Sequence, residues 1–167
     1  MINIKQELEV AKKATEIAAA LLIDNKENIN MILSNEGRDV KLKADNESEK
    51  VIKEYLSSNS NFPILAEESG ANQELGDSFW VVDPLDGTSN YSRDFPICCI
   101  SIALIYEKEI SLGVINDFNR GSIYEGSTDS KAKLNGQEIF VSSINEKSKA
   151  TLATGLPAKG NFGKESM

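Results

Sequence analysis

This chain is expected to adopt an α+β fold, with two N-terminal helices packed on a predominantly antiparallel sheet. Three observations predict it. Apolar side chains recur at helical spacing through the first third of the chain, interrupted once by an asparagine-rich stretch. From Ile64 onward, short apolar runs alternate with turn signals. Asn135-Gly136 and Glu107-Lys108-Glu109 mark tight connections between consecutive runs, which favours antiparallel pairing.

The first helix is expected over residues 3–24. Ile4, Leu8, Ala11, Ala18 and Leu22 form one face, with Ile17 and Leu21 beside it, and its alanines suggest close packing. Residues 25–30 should break or bend that helix. Asn35-Glu36-Gly37-Arg38-Asp39 reads as a turn before an extended stretch over 40–43. A second helix is expected over 46–56, presenting Val51, Ile52, Tyr55 and Leu56, with Asp45 as its N-cap. Strands follow at 64–66, 79–82, 97–106, 110–116, 122–124 and 138–141. Pro84 cannot donate to a ladder, so the second of these should stop at Asp83. The helices should cover one face of the sheet.

A chain of 167 residues holds one modest domain, here 1–167. It is 40% hydrophobic and 26% charged, and its apolar runs are too short to span a bilayer. Met1-Ile2-Asn3-Ile4-Lys5 lacks the basic-then-apolar pattern of a signal peptide, so a cytoplasmic protein is expected. A net charge of −8 argues against nonspecific nucleic-acid binding, which depends on neutralising phosphates with basic side chains. Cys98 and Cys99 are neighbours on an apolar run, read as reduced packing residues that cannot readily pair with each other. The chain has no histidine, which removes Ser-His-Asp hydrolysis, phosphohistidine chemistry and ordinary zinc sites.

Asp83-Pro84-Leu85-Asp86-Gly87-Thr88-Ser89-Asn90-Tyr91 carries the chemistry. Two carboxylates end an apolar run, where they would repel unless a cation lay between them, and oxygen ligands select a hard ion such as Mg²⁺. Gly87 and Thr88 open a short helix whose amides favour a phosphate. Upstream, Ile64-Leu65-Ala66 ends in Glu67-Glu68-Ser69-Gly70. If the two strands are neighbours, Glu67 adds a third carboxylate. Taken singly, acids at strand ends are ordinary solvated turn residues, Asp-Gly is a common turn pair and Asp45 a sufficient cap. The joint pattern is what points to a site.

Together these segments resemble the inositol monophosphatase family of metal-dependent phosphatases, whose Asp-Pro-(Ile/Leu)-Asp-Gly-Thr-x-Asn-(Phe/Tyr) signature matches residues 83–91 and whose Glu-Glu-Ser turn matches 67–69. Phe95-Pro96, Ser101-Ile102-Ala103-Leu104, Gly113-Val114-Ile115 and the run from Leu134 to Ser142 are similar to its later strands. The resemblance implies that Glu67, Asp83 and Asp86 hold Mg²⁺, that Leu85 offers its carbonyl, and that the amides of Gly87 and Thr88 grip phosphate. Glu68 either supports the site from behind or binds metal itself. It implies that Asp45 falls where the family carries a helix-leading aspartate, and that Asp45, Thr88 and Glu67 orient or deprotonate water activated by the metal. The implied activity is hydrolysis of a small phosphorylated metabolite, lithium-sensitive and without a phosphoenzyme. Asn90 favours the inositol, histidinol or sugar phosphate branch over 3′(2′),5′-bisphosphate nucleotidases.

Two positions depart from the family: its usual lysine corresponds to Ser34, and its Val-Thr pair to Lys41-Leu42. The family's second α/β half, with its Trp-Asp-x-Ala-(Ala/Gly)-Gly motif, has no counterpart, since Trp80 is the only tryptophan. The sequence therefore reads as an N-terminal half ending just after Thr154-Gly155-Leu156-Pro157. A noncatalytic half that pairs with a complementary chain or forms a homodimer is one alternative. A haloacid-dehalogenase-like phosphatase is disfavoured, because that family separates its aspartates by one residue and Asp83 and Asp86 are separated by two.

Overall fold

The computed structural model describes residues 2–36 and 39–153. Gly37 and Arg38 of the expected turn, and the 154–157 segment, lie outside the described residues.

The first helix, α1 (Ile4–Asp24), begins as expected: the Asn3 side chain accepts from the Gln6 amide at 3.1 Å. Its buried stripe is Ile4, Leu8, Ala11, Ala14, Ala18 and Leu22. The chain breaks at Asn25 and makes one further turn, α2 (Lys26–Ile29). Strands β1 (Ile32–Glu36) and β2 (Asp39–Leu42) then form an antiparallel hairpin in which Ser34 faces Lys41. Part of β1 falls where the sequence predicted only a turn. Asn, Glu and Asp are weak strand formers, so pairing with β2 decides its conformation.

Helix α3 runs over Lys43–Asn59, longer at both ends than predicted. Asp45 is not its N-cap. Leu42 is, and Asp45 sits in the first turn, where its carboxylate reaches back to the Leu42 amide at 2.7 Å. That is half of a capping box, with the acid inside the helix rather than before it.

Eight strands form the main sheet. These are β3 (Ile64–Ala66), β4 (Gly70–Ala71), β5 (Phe79–Asp86), β6 (Cys99–Tyr106), β7 (Glu109–Asp117), β8 (Ser122–Ser127), β9 (Ser130–Leu134) and β10 (Gln137–Glu138), in the order β10-β9-β8-β7-β6-β5-β3-β4. All neighbours are antiparallel except β3 and β5, which run parallel with Ala66 beside Val82. Strand β5 does not stop at Asp83. It continues through Pro84 to Asp86 because a bulge between the two aspartates removes the need for a proline amide in the ladder. Strand β9 was not anticipated, and β10 ends before Ile139, leaving Phe140 and Val141 exposed. Asn135 and Gly136 both take positive φ, 48° and 80°, the hairpin turn their sequence predicted.

Helices α1 and α3 pack on each other and on one face of the sheet, α1 against β6 and β7 and α3 against β5. Leu22, Ile52, Leu56, Ile64, Trp80, Ile100, Ile102 and Leu104 are fully buried between these layers. Each such side chain contributes roughly 1.5–3 kcal/mol on burial. An ion pair from Lys12 on α1 to the buried Glu125 on β8, at 2.9 Å, fixes how the helix lies on the sheet.

Candidate active site

One face of α3 organises the site. Asp45, Ser48 and Glu49 are spaced to lie together on a helix surface, and all three are buried. Asp45 Oδ1 accepts from Thr88 Oγ1 at 2.8 Å. Ser48 Oγ donates to the Pro84 carbonyl at 2.9 Å. Glu49 Oε2 accepts from the amides of Glu68 and Ser69 at 2.8 and 3.4 Å. A single helix therefore grips both acidic turns.

The sheet supplies the rest. Because β3 runs parallel to β5, the turn that begins at Glu67 leaves the sheet beside Asp83, and the Glu67 amide donates to the Val82 carbonyl at 3.1 Å. The Glu67 carboxyl, although its side chain opens to solvent, is pushed up to about 7 by partial burial, by the charge of Asp83 and by a hydrogen bond with it. Burial also raises Asp83, with Asp86 and Asp45 adding repulsion. Asp83 Oδ1 accepts from the Leu85 amide at 3.2 Å. Asp86 is exposed at the end of β5, with the Cys99 thiol 3.8 Å from its Oδ2. Burial pushes Asp45 up to about 6, against the lowering effect of its bonds to Leu42 and Thr88.

Thr88 opens α4 (Thr88–Tyr91), and its hydroxyl also lies 3.1 Å from the Leu85 carbonyl. Gly87 precedes it at φ 91°, where a Cβ would meet the Ile97 carbonyl at 2.7 Å and Cys98 Cα at 3.1 Å. Only glycine fits there. Beside Asp86 and Gly87 a cleft of about 260 Å³ is lined by Asn90, Cys99, Asp117 and Arg120.

The structure brings together some of the predicted site residues and not others. Asp45, Thr88 and Leu85 are joined by hydrogen bonds, and Glu67 and Asp83 meet at their carboxyls. Glu68 turns to Lys41, 2.8 Å away. Asp86 is exposed, with its charge acting on both Glu67 and Asp83, and among the described residues no three acidic or cysteine side chains are closed into a formed metal cluster. The donor set still fits a hard cation: it is all oxygen, it carries surplus negative charge, and its carboxyls are raised by burial and by mutual repulsion, the second of which a divalent ion relieves.

Sequence reasoning missed the parts that hold the site in place. Ser48 and Glu49 were legible only as polar residues on the inner face of a helix. The Tyr91 hydroxyl donates to the Leu22 carbonyl at 2.7 Å, tying the signature segment to α1. Asn90 Nδ2 donates to the Ile97 carbonyl at 2.7 Å, closing the loop after α4.

The model of the inositol monophosphatase family matches residues 3–163. The chain belongs to the inositol monophosphatase family. It is 33% identical to the inositol-1-monophosphatase of Synechocystis sp., over 89% of this chain and 53% of that protein. It is 37% identical to inositol monophosphatase 3 of Solanum lycopersicum, over 88% of this chain and 55% of that protein. The solved inositol monophosphatase of Anabaena (Nostoc) sp. superposes with a TM-score of 0.73 at 31% identity, covering 87% of this chain and 53% of that one. The chain thus spans about half the length of these family members.

Proposed function

We propose that this chain supplies the ion- and phosphate-binding part of a Mg²⁺-dependent, lithium-sensitive phosphomonoesterase. Its substrate is a small phosphorylated metabolite: an inositol monophosphate or a related sugar or histidinol phosphate. The observation that carries this reading is the parallel β3–β5 register, which sets Glu67 against Asp83 while α3 joins Asp45 to Thr88. Glu67, Asp83, Asp86 and the Leu85 carbonyl would hold Mg²⁺, with Glu68 behind them. When bound, the ion supplies Lewis-acid activation of water and neutralises charge on the phosphate.

The chain's own groups do the remaining work. The amides of Gly87 and Thr88 orient the phosphate. Thr88 Oγ1, which donates to Asp45 Oδ1, offers its lone pairs to the attacking water. The water's proton passes through Thr88 toward Asp45, whose raised affinity suits it to receive a proton near neutrality. Water attacks phosphorus directly as the bond from phosphorus to the substrate's ester oxygen breaks, that oxygen leaves with a proton taken from solvent, and no covalent phosphoenzyme forms. Cys98 and Cys99 are free thiols, which suits the reducing cytoplasm. No helix among the described residues is long and apolar enough to cross a membrane.

A phosphate-release screen over inositol, histidinol, sugar and nucleotide phosphates, with and without Mg²⁺, tests the proposal. Release that requires Mg²⁺ and is lost in Asp83→Asn supports it. Release indifferent to EDTA overturns it, and preference for a nucleoside bisphosphate moves the chain to the nucleotidase branch.

A second reading, an inactive half that works with a complementary chain or as a homodimer, is favoured by one observation. The sheet face away from α1 and α3 leaves Val81, Ile115 and Tyr124 at 36, 44 and 40% exposure. Sedimentation and turnover measured on one sample decide between the readings. A monomer with full Mg²⁺-dependent turnover removes the second.

A further inference from the structure

Among the described residues, Glu68 is the one acid of the paired turns with an ammonium partner. Its carboxylate is largely buried, at 12% side-chain exposure, and its Oε2 lies 2.8 Å from Lys41 Nζ. Both partners are held by their backbones as well. The Glu68 amide donates to Glu49 Oε2, and the amide that follows Lys41, that of Leu42, donates to Asp45 Oδ2. Lys41 therefore leaves β2 from a point pinned to α3 and reaches a turn pinned to the same helix.

The charge arithmetic explains why the lysine matters. Glu68 repels both Glu67 and Asp45. Left unpaired beside them, it would be a natural oxygen ligand for a divalent ion, sharing that ion with Glu67 next to it in the chain. Paired with an ammonium, it is an occupied acceptor whose partner's positive charge disfavours a second cation nearby. In the hairpin Lys41 lies opposite Ser34, so this positive charge comes from the β2 side of the pair.

We infer that Lys41 is a positioning residue that withholds Glu68 from ion binding, leaving Glu67 as the acid of that turn which faces Asp83. The inference rests on the metal-binding reading above and adds to it: the number of divalent ions the site accepts is set by a lysine on the β1–β2 hairpin. Removing that lysine turns Glu68 into a ligand.

Mn²⁺ binding measured by calorimetry and by electron paramagnetic resonance on the full chain tests this. Lys41→Met should bind one more Mn²⁺ per chain than the parent, and Lys41→Arg should match the parent. The double variant Lys41→Met/Glu68→Gln should return to the parent stoichiometry, an outcome that a merely structural role for Lys41 does not produce. Parent stoichiometry in a folded Lys41→Met overturns the inference and leaves the metal reading standing. A parent chain that takes up no Mn²⁺ at millimolar concentration overturns both. Should Lys41→Met not fold, Glu68→Gln alone decides: the inference requires it to keep the parent stoichiometry, and loss of an ion there overturns it.

Discussion

Thr88 Oγ1 lies 2.8 Å from Asp45 Oδ1, a contact across 43 residues of sequence that joins the first turn of α3 to the first residue of α4. Asp45 is itself fixed by the Leu42 amide at 2.7 Å, so the threonine hydroxyl meets a carboxylate that cannot swing away.

Thr88→Ala and Asp45→Asn should each lower kcat for Mg²⁺-dependent phosphate release by about 10²–10⁴-fold, the usual weight of a general base. KM should change little. Thr88→Ser should recover most of the rate, because the hydroxyl alone makes the bond. Steady-state kinetics on the three variants checks this.

Asp83→Asn should reduce Mg²⁺ affinity by at least about tenfold, since one carboxylate leaves the ligand set. The same variant should melt higher than the parent in EDTA, because part of the repulsion around Glu67 is gone. Titration calorimetry gives the first result and thermal unfolding the second. Unchanged Mg²⁺ affinity removes Asp83 from the site.

The metal-free protein should lose stability as pH rises from acid to neutral. Asp45 and Glu67 hold their protons more tightly when folded, at about 6 and about 7, than at their ordinary values of 3.8 and 4.5. Deprotonation therefore costs folding free energy, starting near the ordinary value and complete above the folded one. In EDTA, Tm should fall between about pH 4 and pH 7.5 and level off beyond, with a shallower fall in Asp45→Asn. Saturating Mg²⁺ should flatten the upper part of the curve.

Glu49→Ala should cost about 2–3 kcal/mol, as it strips a charged acceptor from the amides of Glu68 and Ser69. Glu49→Gln keeps an acceptor and should cost less. Urea unfolding of the pair separates the two, and Mg²⁺ affinity should fall in the same order because the turn carrying Glu67 loses its support.

Gly87→Ala should destabilise by about 2 kcal/mol or more, since it combines a left-handed backbone with a Cβ driven into the Ile97 carbonyl. Phosphate release should disappear with it. A Gly87→Ala protein of parental Tm would mean that the loop between Asp86 and Cys98 can move aside.

Local pattern carried much of this molecule. Helix α1, the break at Asn25, the Asn135-Gly136 turn and the two acidic turns were all legible, because each depends on residues close in sequence and on periodicities that survive without tertiary contact. Asp45 shows where such reading stops. Its position before a helical run made it a plausible N-cap, but whether the helix begins at residue 43 or 46 depends on β2 pairing with β1 and delivering Leu42 as the cap.

Pro84 marks the same boundary for the sheet. The ban on proline in a ladder is a local rule, and it ended the strand at Asp83; the bulge that carries β5 on to Asp86 exists because β6 offers Ser101 and Cys99 as partners on either side. Ser48 and Glu49 are ordinary polar side chains in sequence, Lys41 and Tyr91 stand out there only against the family pattern, and the contacts of all four exist only because packing brought the Pro84 carbonyl, the Glu68 turn and the Leu22 carbonyl to them. The sequence by itself determined which groups are candidates for the chemistry, since residue type and short spacing dictate charge and ligand preference. The tertiary structure alone decided which of those groups meet, because a hydrogen bond between residues tens of positions apart is set by the register of strands and the seating of one helix.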